Sequence, residues 1–209
     1  ERLIRHMRDV APDVPVILDA KRGDIGSTAA QYAVEAFERY GADAVTLSPF
    51  MGHDSVTPYL KYKDKGVFLL CRTSNPGGDD LQNQRLMDES GTPRLFEHVA
   101  QLAEGAWLDG GPTGQIGLVV GATYPDEIRR VRALAPTAPL LIPGVGAQGG
   151  DAVATIQAGA TTDGLVIVNS SRAVIYASKG ADFAKAAKHV ATETRDTLNA
   201  ARDLKSDRR

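Results

Sequence analysis

The stretch Asp19-Ala-Lys-Arg-Gly-Asp-Ile-Gly-Ser-Thr28 follows a short apolar run, residues 14–18. Such a run is typical of a buried strand, and we predict a strand here that ends at Asp19. Because side chains alternate along a strand, Asp19 and Lys21 should point to the same side as Ile17, toward the interior. The sequence therefore predicts a carboxylate and an ammonium group side by side at the C-terminal end of a buried strand.

The charges in this stretch have two possible explanations. Ionised side chains at a buried strand end are costly unless they pair with each other or take part in chemistry. They could form an ion-pair network that only stabilises the fold, or they could form a catalytic site. Spacing alone leaves both possibilities open.

Composition limits the class of protein. The chain has 209 residues, which is long enough for one domain with a substantial core, and we predict a single domain over residues 1–209. Its net charge is −2. No basic stripe indicates nucleic-acid binding, and no apolar run is long enough to span a membrane. The only cysteine, Cys71, cannot form a disulfide within the chain, which agrees with a reducing compartment and predicts a cytoplasmic protein.

Apolar runs alternate with amphipathic segments along the whole chain. They predict six strands, at residues 14–19, 43–48, 66–72, 116–120, 139–142 and 164–168. Helices are predicted at residues 1–9, 28–40, 54–63, 93–108, 125–135, 150–159 and 181–203. The nearly continuous apolar strands are typical of a parallel sheet with both faces covered, and the regular alternation indicates an α/β fold. Six parallel strands could form an open doubly wound sheet or part of an eight-stranded barrel.

Function collects at the C-terminal ends of the strands in either fold. The fifth predicted strand is followed by Pro143-Gly-Val-Gly-Ala-Gln-Gly-Gly150, and the sixth by Asn169-Ser-Ser-Arg172. Glycines let backbone N–H groups approach a phosphate, and an arginine on the next strand can clamp it. The loop also fits a dinucleotide fingerprint, but the following strand ends in Asn169 instead of the acid that would hold a ribose. A phosphate site between these two strand ends is therefore the better interpretation.

The third predicted strand leads into a long polar loop that runs to about Thr92. Ser74 offers a hydroxyl and backbone groups that could bind the polar edge of a heterocycle. Pro76 and Gly77 also suit a simple turn, so the residues alone do not decide between the two roles. The four histidines have no metal-ligand spacing, and no metal site is predicted.

The stretch from Asp19 to Thr28 resembles the signature of the orotidine 5'-phosphate decarboxylase family, Asp-x-Lys-x-x-Asp followed by Ile-x-x-Thr, with every position filled. The fuller string is most similar to the long bacterial subfamily. Blocks at residues 48–52, 71–77, 117–123, 143–150 and 169–177 also resemble that family, in the family's order. The resemblance implies a TIM (β/α)8 barrel that lacks its N-terminal strands in this chain. We therefore expect the 209-residue chain alone to be poorly stable and nearly inactive.

The resemblance implies a carboxy-lyase that decarboxylates orotidine 5'-phosphate to UMP in pyrimidine biosynthesis, without metal or organic cofactor. Lys21 would be the proton donor to C6 of the pyrimidine. Asp19 would lie near the substrate carboxylate. Asp24 and Thr28 would reach across a homodimer interface into the neighbouring active site.

The resemblance also implies the substrate contacts. Ser74 would contact the pyrimidine, and the loop that follows it would close over the ligand. Gln148 and Arg172 would bind the phosphate, with the backbone of Ser171 helping.

Two alternatives stay open. The first is a magnesium-dependent sugar-phosphate decarboxylase or aldolase of the same barrel group, which shares Asp-x-Lys-x-x-Asp. It needs further carboxylates at the strand ends, where this sequence has Ser48, Arg72 and Asn169. The second is a non-catalytic nucleotide-phosphate-binding relic, which would bind UMP without turnover.

Overall fold

Six parallel strands form one sheet in the computed structural model, which describes residues 1–87, 91–108, 110–145 and 150–206. The strands are β1 (Ile17–Arg22), β2 (Ala44–Leu47), β3 (Gly66–Arg72), β4 (Ile116–Val120), β5 (Leu140–Pro143) and β6 (Val166–Asn169). The helices are α1 (Arg2–Val10), α2 (Gly26–Val34), α3 (His53–Leu60), α4 (Leu95–Glu104), α5 (Pro125–Leu134), α6 (Ala152–Gly159), α7 (Arg172–Ile175) and α8 (Phe183–Ser206). The predicted α/β alternation is confirmed, with each predicted strand present in its expected order.

The order of the strands decides between the two predicted architectures. Each strand pairs in parallel with the next one along the chain, in the order β1-β2-β3-β4-β5-β6. A doubly wound sheet reverses its strand order near the middle, whereas a barrel does not. The sheet therefore forms part of a barrel.

The two faces of the sheet bury different amounts of apolar surface. The main core lies between the sheet and the helices, and includes Leu69, Leu118 and Ile142. The opposite face carries a smaller cluster, which includes Phe68 and Val119. Several pairs of consecutive helices pack side by side, such as α2 with α3 and α5 with α6. Within the described residues, none of the helices is both long enough and apolar enough to cross a membrane.

Strand β1 differs from its prediction. It begins at Ile17 and continues through the charged residues to Arg22, whereas the apolar run predicted residues 14–19. Val14 lies before the strand and is exposed. Ile17 was predicted to be buried but is partly exposed, because its side chain lines an open pocket.

Three local features were not predicted: the π-helical geometry at the end of the predicted helix 28–40, and two short helices. Helix α2 continues as one turn of π-helix at Glu35–Arg39. A 3₁₀-helix at Pro76–Asp80 lies in the predicted polar loop, and α7 follows β6 directly. The first two segments contain Glu35 and Asp79, which pair with arginines near the strand ends. The third begins at Arg172, a predicted site residue.

Candidate active site

Strand β1 carries a bulge at its C-terminal end. Between two regular pairings with β2, the three residues 19–21 lie opposite a single residue, Thr46. Lys21 has a φ of 48°, in the left-handed region that side chains other than glycine rarely adopt. Bulges redirect side chains and are common beside active sites. This one brings the Asp19 side chain and the Lys21 backbone N–H within hydrogen-bond distance of Thr46.

The bulge brings Asp19 and Lys21 into contact. Lys21 Nζ donates to Asp19 Oδ1 at 2.6 Å. Thr46 Oγ1 donates to the same carboxylate oxygen at 2.9 Å and accepts the backbone N–H of Lys21 at 2.9 Å. The prediction that the two charged side chains share one side of the strand is confirmed. The side chains of Asp19 and Lys21 are 58% and 51% exposed and line the edge of a pocket at the end of the strand.

This pocket opens at the C-terminal ends of the strands and has a volume of about 480 Å³. Side chains from β1, β3, β4, β5 and β6 give it an apolar wall made of Ile17, Leu70, Val119, Leu141 and Ile167. Its polar residues are Asp19, Lys21, Thr73, Ser74, Asn75 and Asn169. An apolar cleft with a few convergent polar groups is the usual form of a small-molecule site.

Ser74 lies in the pocket lining as predicted. The end of β4 approaches its backbone closely, and a Cβ added at Gly121 would lie 2.8 Å from Ser74. Gln82 holds the preceding residue, because its Oε1 accepts the backbone N–H of Thr73 at 2.8 Å. The turn that carries Ser74 is therefore fixed from two directions.

A second, smaller cleft of about 170 Å³ adjoins the pocket. It is lined by residues 143–145 and 169–172 from the ends of β5 and β6, and shares Pro143 and Asn169 with the larger pocket. Ser171 and Arg172 are both exposed there, at the start of α7. Gln148, the other predicted phosphate ligand, lies outside the described residues. As predicted, the ends of β5 and β6 line one cleft together.

Comparison with known proteins now decides the family. The model of the "Orotidine 5'-phosphate decarboxylase / HUMPS family" matches residues 1–188. The chain belongs to this family. An orotidine 5'-phosphate decarboxylase of Polaromonas naphthalenivorans is 73% identical over 202 residues, which cover 97% of this chain and 71% of that protein. One from Paracidovorax citrulli is 72% identical over 202 residues, covering 97% of this chain and 73% of that protein.

Solved structures agree with this family assignment. Leishmania donovani OMP decarboxylase is 44% identical with a TM-score of 0.78, covering 94% of this chain and 73% of that one. Leishmania donovani UMP synthase is 46% identical with a TM-score of 0.79, covering 94% of this chain and 42% of that one. The TIM barrel that the sequence resemblance implied is confirmed, and the six strands described here form part of it.

Two predicted site residues do not reach the pocket of their own chain. Asp24 and Thr28 are absent from its lining. Asp24 Oδ1 accepts the backbone N–H of Ile25 at 2.9 Å, and Thr28 is exposed on α2. Their assignment across a dimer interface stays a prediction that rests on the family resemblance.

Arg22 anchors the bulge to the helix layer. It follows Lys21 directly, and its Nη2 donates to Glu35 Oε2 at 2.7 Å in the π-helical turn. Its guanidinium also lies 4.4 Å from the centre of the Tyr32 ring. The hydrogen bond with Glu35 raises the pKa of Arg22 above its usual value. One end of the bulge is therefore tied to the segment that follows α2.

Arg72 anchors the loop that carries Ser74. The sequence suggested that Arg72 is available at a strand end, but its side chain is only 1% exposed and lies outside the pocket lining. Arg72 Nε donates to Glu127 of α5 and its Nη2 donates to Asp79 of the 3₁₀-helix, both at 2.6 Å. Burial by itself lowers the pKa of Arg72, but the two carboxylates outweigh it and raise the pKa.

Sequence reasoning did not select two residues that the structure places at the site. Thr46 lies within an apolar run and contacts both catalytic candidates. Asn169 lines both clefts, and its Oδ1 is buried without a hydrogen-bond partner in the described part of the chain. Asn169 could have been found from its position at a strand end. Thr46 could not, because threonine is common in strands and its role depends on its pairing with the bulge.

Proposed function

We propose that this protein decarboxylates orotidine 5'-phosphate to UMP, with Lys21 as the proton donor. The observation that carries the proposal is the 2.6 Å contact between Lys21 and Asp19 at the edge of an apolar pocket. That pocket adjoins a cleft whose arginine and backbone groups suit a phosphate. Membership of the decarboxylase family and 73% identity to a protein of that name support the same reaction.

The reaction needs one bond to break and one to form at C6 of the pyrimidine. The bond between C6 and the carboxylate carbon breaks, carbon dioxide leaves, and the electron pair stays on C6. The Lys21 ammonium stabilises this developing negative charge and then transfers a proton from Nζ to C6. Lys21 is left as a neutral amine and regains its proton from solvent.

Asp19 and the two clefts position the reacting groups. The Asp19 carboxylate holds the Lys21 ammonium in place and lies near the carboxylate that the substrate loses. The pyrimidine ring would lie against the apolar wall with Ser74 at its polar edge. The phosphate would bind between Pro143 and Arg172, with Gln148 as a further ligand. Binding energy from the distant phosphate can then be used to hold the ring in its reactive position.

A homodimer with shared active sites is part of the proposal. Asp24 and Thr28 lie outside the pocket of their own chain, which fits a role in a partner's site. Mixing the inactive variants Lys21→Ala and Asp24→Asn tests this role. If the sites are shared, each hybrid dimer contains one intact site, and about a quarter of the wild-type activity returns. If each chain forms its own site, mixing restores no activity.

The first test of the reaction follows the loss of orotidine 5'-phosphate by ultraviolet absorbance, in excess chelator, with the full-length protein. Wild type should turn over, and Lys21→Ala should lose about 10²–10⁴-fold in kcat, the range typical of a removed general acid. Activity on a sugar phosphate only after magnesium is added would favour the related metal-dependent enzymes. Binding of UMP without any turnover would favour the non-catalytic relic.

The location and domain organisation remain predictions. We propose a cytoplasmic protein, because its only cysteine, Cys71, is a buried free thiol, which is typical of proteins from a reducing compartment. We also propose that residues 1–209 belong to a single barrel domain, since one family model matches residues 1–188.

A further inference from the structure

Thr46 has an unusual position for a polar side chain. It lies in the middle of β2, is fully buried, and has Val45 and Leu47 on either side. A buried hydroxyl is unfavourable unless it is hydrogen-bonded. On the side of β1, Thr46 lies opposite the three residues of the bulge, 19–21. The Thr46 hydroxyl is therefore placed where β1 departs from regular strand geometry.

The direction of each Thr46 hydrogen bond follows from the groups involved. An ionised carboxylate only accepts hydrogen bonds, so the single hydroxyl proton of Thr46 must go to Asp19 Oδ1, at 2.9 Å. The backbone N–H of Lys21 only donates, so it uses a lone pair of Thr46 Oγ1, also at 2.9 Å. One hydroxyl thus fixes the carboxylate of Asp19 and the backbone of Lys21 together.

Both of these groups need a constraint. Lys21 has a φ of 48°, and a residue with a side chain stays in that region only when its surroundings hold it there. Asp19 is 58% exposed, so burial alone does not fix its rotamer. Thr46 supplies a partner to each of them from the buried side, while the pocket side stays open for a ligand.

We propose that Thr46 is a positioning residue for the decarboxylation, acting through Asp19 and Lys21. This inference rests on the proposed function, because it assigns Thr46 a role in aligning the proton donor. Thr46 is absent from the pocket lining and has no direct contact with the ligand space. Its loss should therefore reduce kcat and leave ligand affinity largely unchanged.

The test compares Thr46→Val with Thr46→Ser in the full-length protein. Valine keeps the shape of threonine and removes both hydrogen bonds, whereas serine keeps the hydroxyl. We expect Thr46→Val to lose about 10–100-fold in kcat, since small misplacements of a reacting group cost factors of this size. KM for orotidine 5'-phosphate and the Kd for UMP should stay within about threefold, a difference below 1 kcal/mol. Thr46→Ser should keep most of the activity.

Thr155→Val is the matched control. Thr155 is also fully buried, lies on α6 away from both clefts, and its hydroxyl has no hydrogen-bond partner in the described residues. This variant should retain wild-type kcat. If Thr46→Val does not fold, Thr46→Ala and Thr46→Ser provide the same comparison of hydroxyl loss with hydroxyl retention.

Three results would overturn the inference. The first is a Thr46→Val enzyme with kcat within twofold of wild type. The second is a Thr46→Ser enzyme as impaired as Thr46→Val, which would assign the effect to packing. The third is a loss of UMP binding that matches the loss of kcat. An inactive wild type would instead contradict the proposed function, so the two failures are distinguishable.

Discussion

Strands β1 and β3 both contribute to the candidate pocket and end in the same way. Each has an irregularity in its pairing just before a final arginine, Arg22 in β1 and Arg72 in β3. Each arginine pairs with a glutamate of the helix layer, and each guanidinium lies over a tyrosine ring, at 4.4 Å from the centre for Arg22 and 4.7 Å for Arg72. Next to Arg22 lies Lys21, and the turn after Arg72 carries Ser74.

The two anchors differ in burial and in the number of their partners. The side chain of Arg22 is 34% exposed and pairs with one acid, Glu35. That of Arg72 is 1% exposed and pairs with two, Glu127 and Asp79. Exposed ion pairs contribute little to stability, whereas breaking a buried pair leaves an uncompensated charge. We infer that Arg72 mainly holds the fold together and that Arg22 mainly fixes local geometry beside Lys21.

The largest expected effect is that of Arg72→Met on stability. Removing the guanidinium takes away the 2.6 Å partner of the mostly buried Glu127 carboxylate and leaves only the longer ion pair with Arg94, at 3.9 Å. The free energy of unfolding should fall by about 3–5 kcal/mol, as measured by urea denaturation. The double variant Arg72→Met with Glu127→Gln should lose less than the single variant, because no buried charge is left. A loss below about 1 kcal/mol for the single variant would place Arg72 with the exposed pairs.

Arg22→Met should have a small effect on stability and a larger effect on activity. Because the pair with Glu35 is partly exposed, the free energy of unfolding should fall by only about 1 kcal/mol. The bulge that carries Lys21 would lose its tie to the helix layer, so kcat for decarboxylation should fall by about tenfold. Equal losses of stability in Arg22→Met and Arg72→Met would remove the distinction between the two anchors.

Cys71 provides a probe of the β3 anchor. Its thiol is buried next to Arg72, and burial raises the pKa of Cys71 well above its usual value. A thiol with a raised pKa stays protonated and unreactive at pH 8. Native protein should therefore react with a thiol reagent only on unfolding, and Arg72→Met should react sooner, whereas Arg22→Met should react like wild type. Rapid labelling of the native wild type would contradict the burial of this strand end.

The smallest expected effect concerns the other end of β1. Asp43 Oδ2 accepts from Arg8 of α1 and from the backbone N–H of Val16, both at 2.7 Å. Burial raises the pKa of Asp43, but these hydrogen bonds outweigh it and lower the pKa below its usual 3.8. A lowered pKa means that this contribution to stability is complete above pH 3.8 and is lost as the pH falls through the folded-state pKa.

The comparison for this prediction is between wild type and Asp43→Asn. The difference in their free energies of unfolding should be constant between about pH 5 and 7 and should shrink below about pH 4. Urea denaturation at a series of pH values measures it. A difference that is unchanged at pH 3 would show that Asp43 does not act through its charge.

The sequence predicted the parts of this molecule that depend on local pattern. The apolar runs located all the strands of the sheet, and alternation placed Asp19 and Lys21 on one side. The neighbouring ends of β5 and β6 also followed from parallel strand order. These features depend on periodicity and topology, which a single sequence carries directly.

The features that the sequence did not predict depend on contacts between strands. The bulge at residues 19–21 is a shift in the register between β1 and β2, and no local pattern in the sequence marks it. The role of Thr46 follows from that register alone. The burial of Arg72 depends on Asp79 and Glu127, which lie 7 and 55 residues away in the chain. Non-local pairing of this kind is set by packing and leaves little local signal.

The central claim, that Lys21 delivers a proton to C6, can be tested on the product alone. A group that protonates C6 must also catalyse the reverse proton transfer, so UMP bound in D₂O should exchange its C6 hydrogen for deuterium. Proton NMR of UMP with the wild-type protein should show this exchange, and Lys21→Ala should abolish it while still binding UMP. Exchange at the wild-type rate in Lys21→Ala would contradict the account, because another group would then be the proton donor.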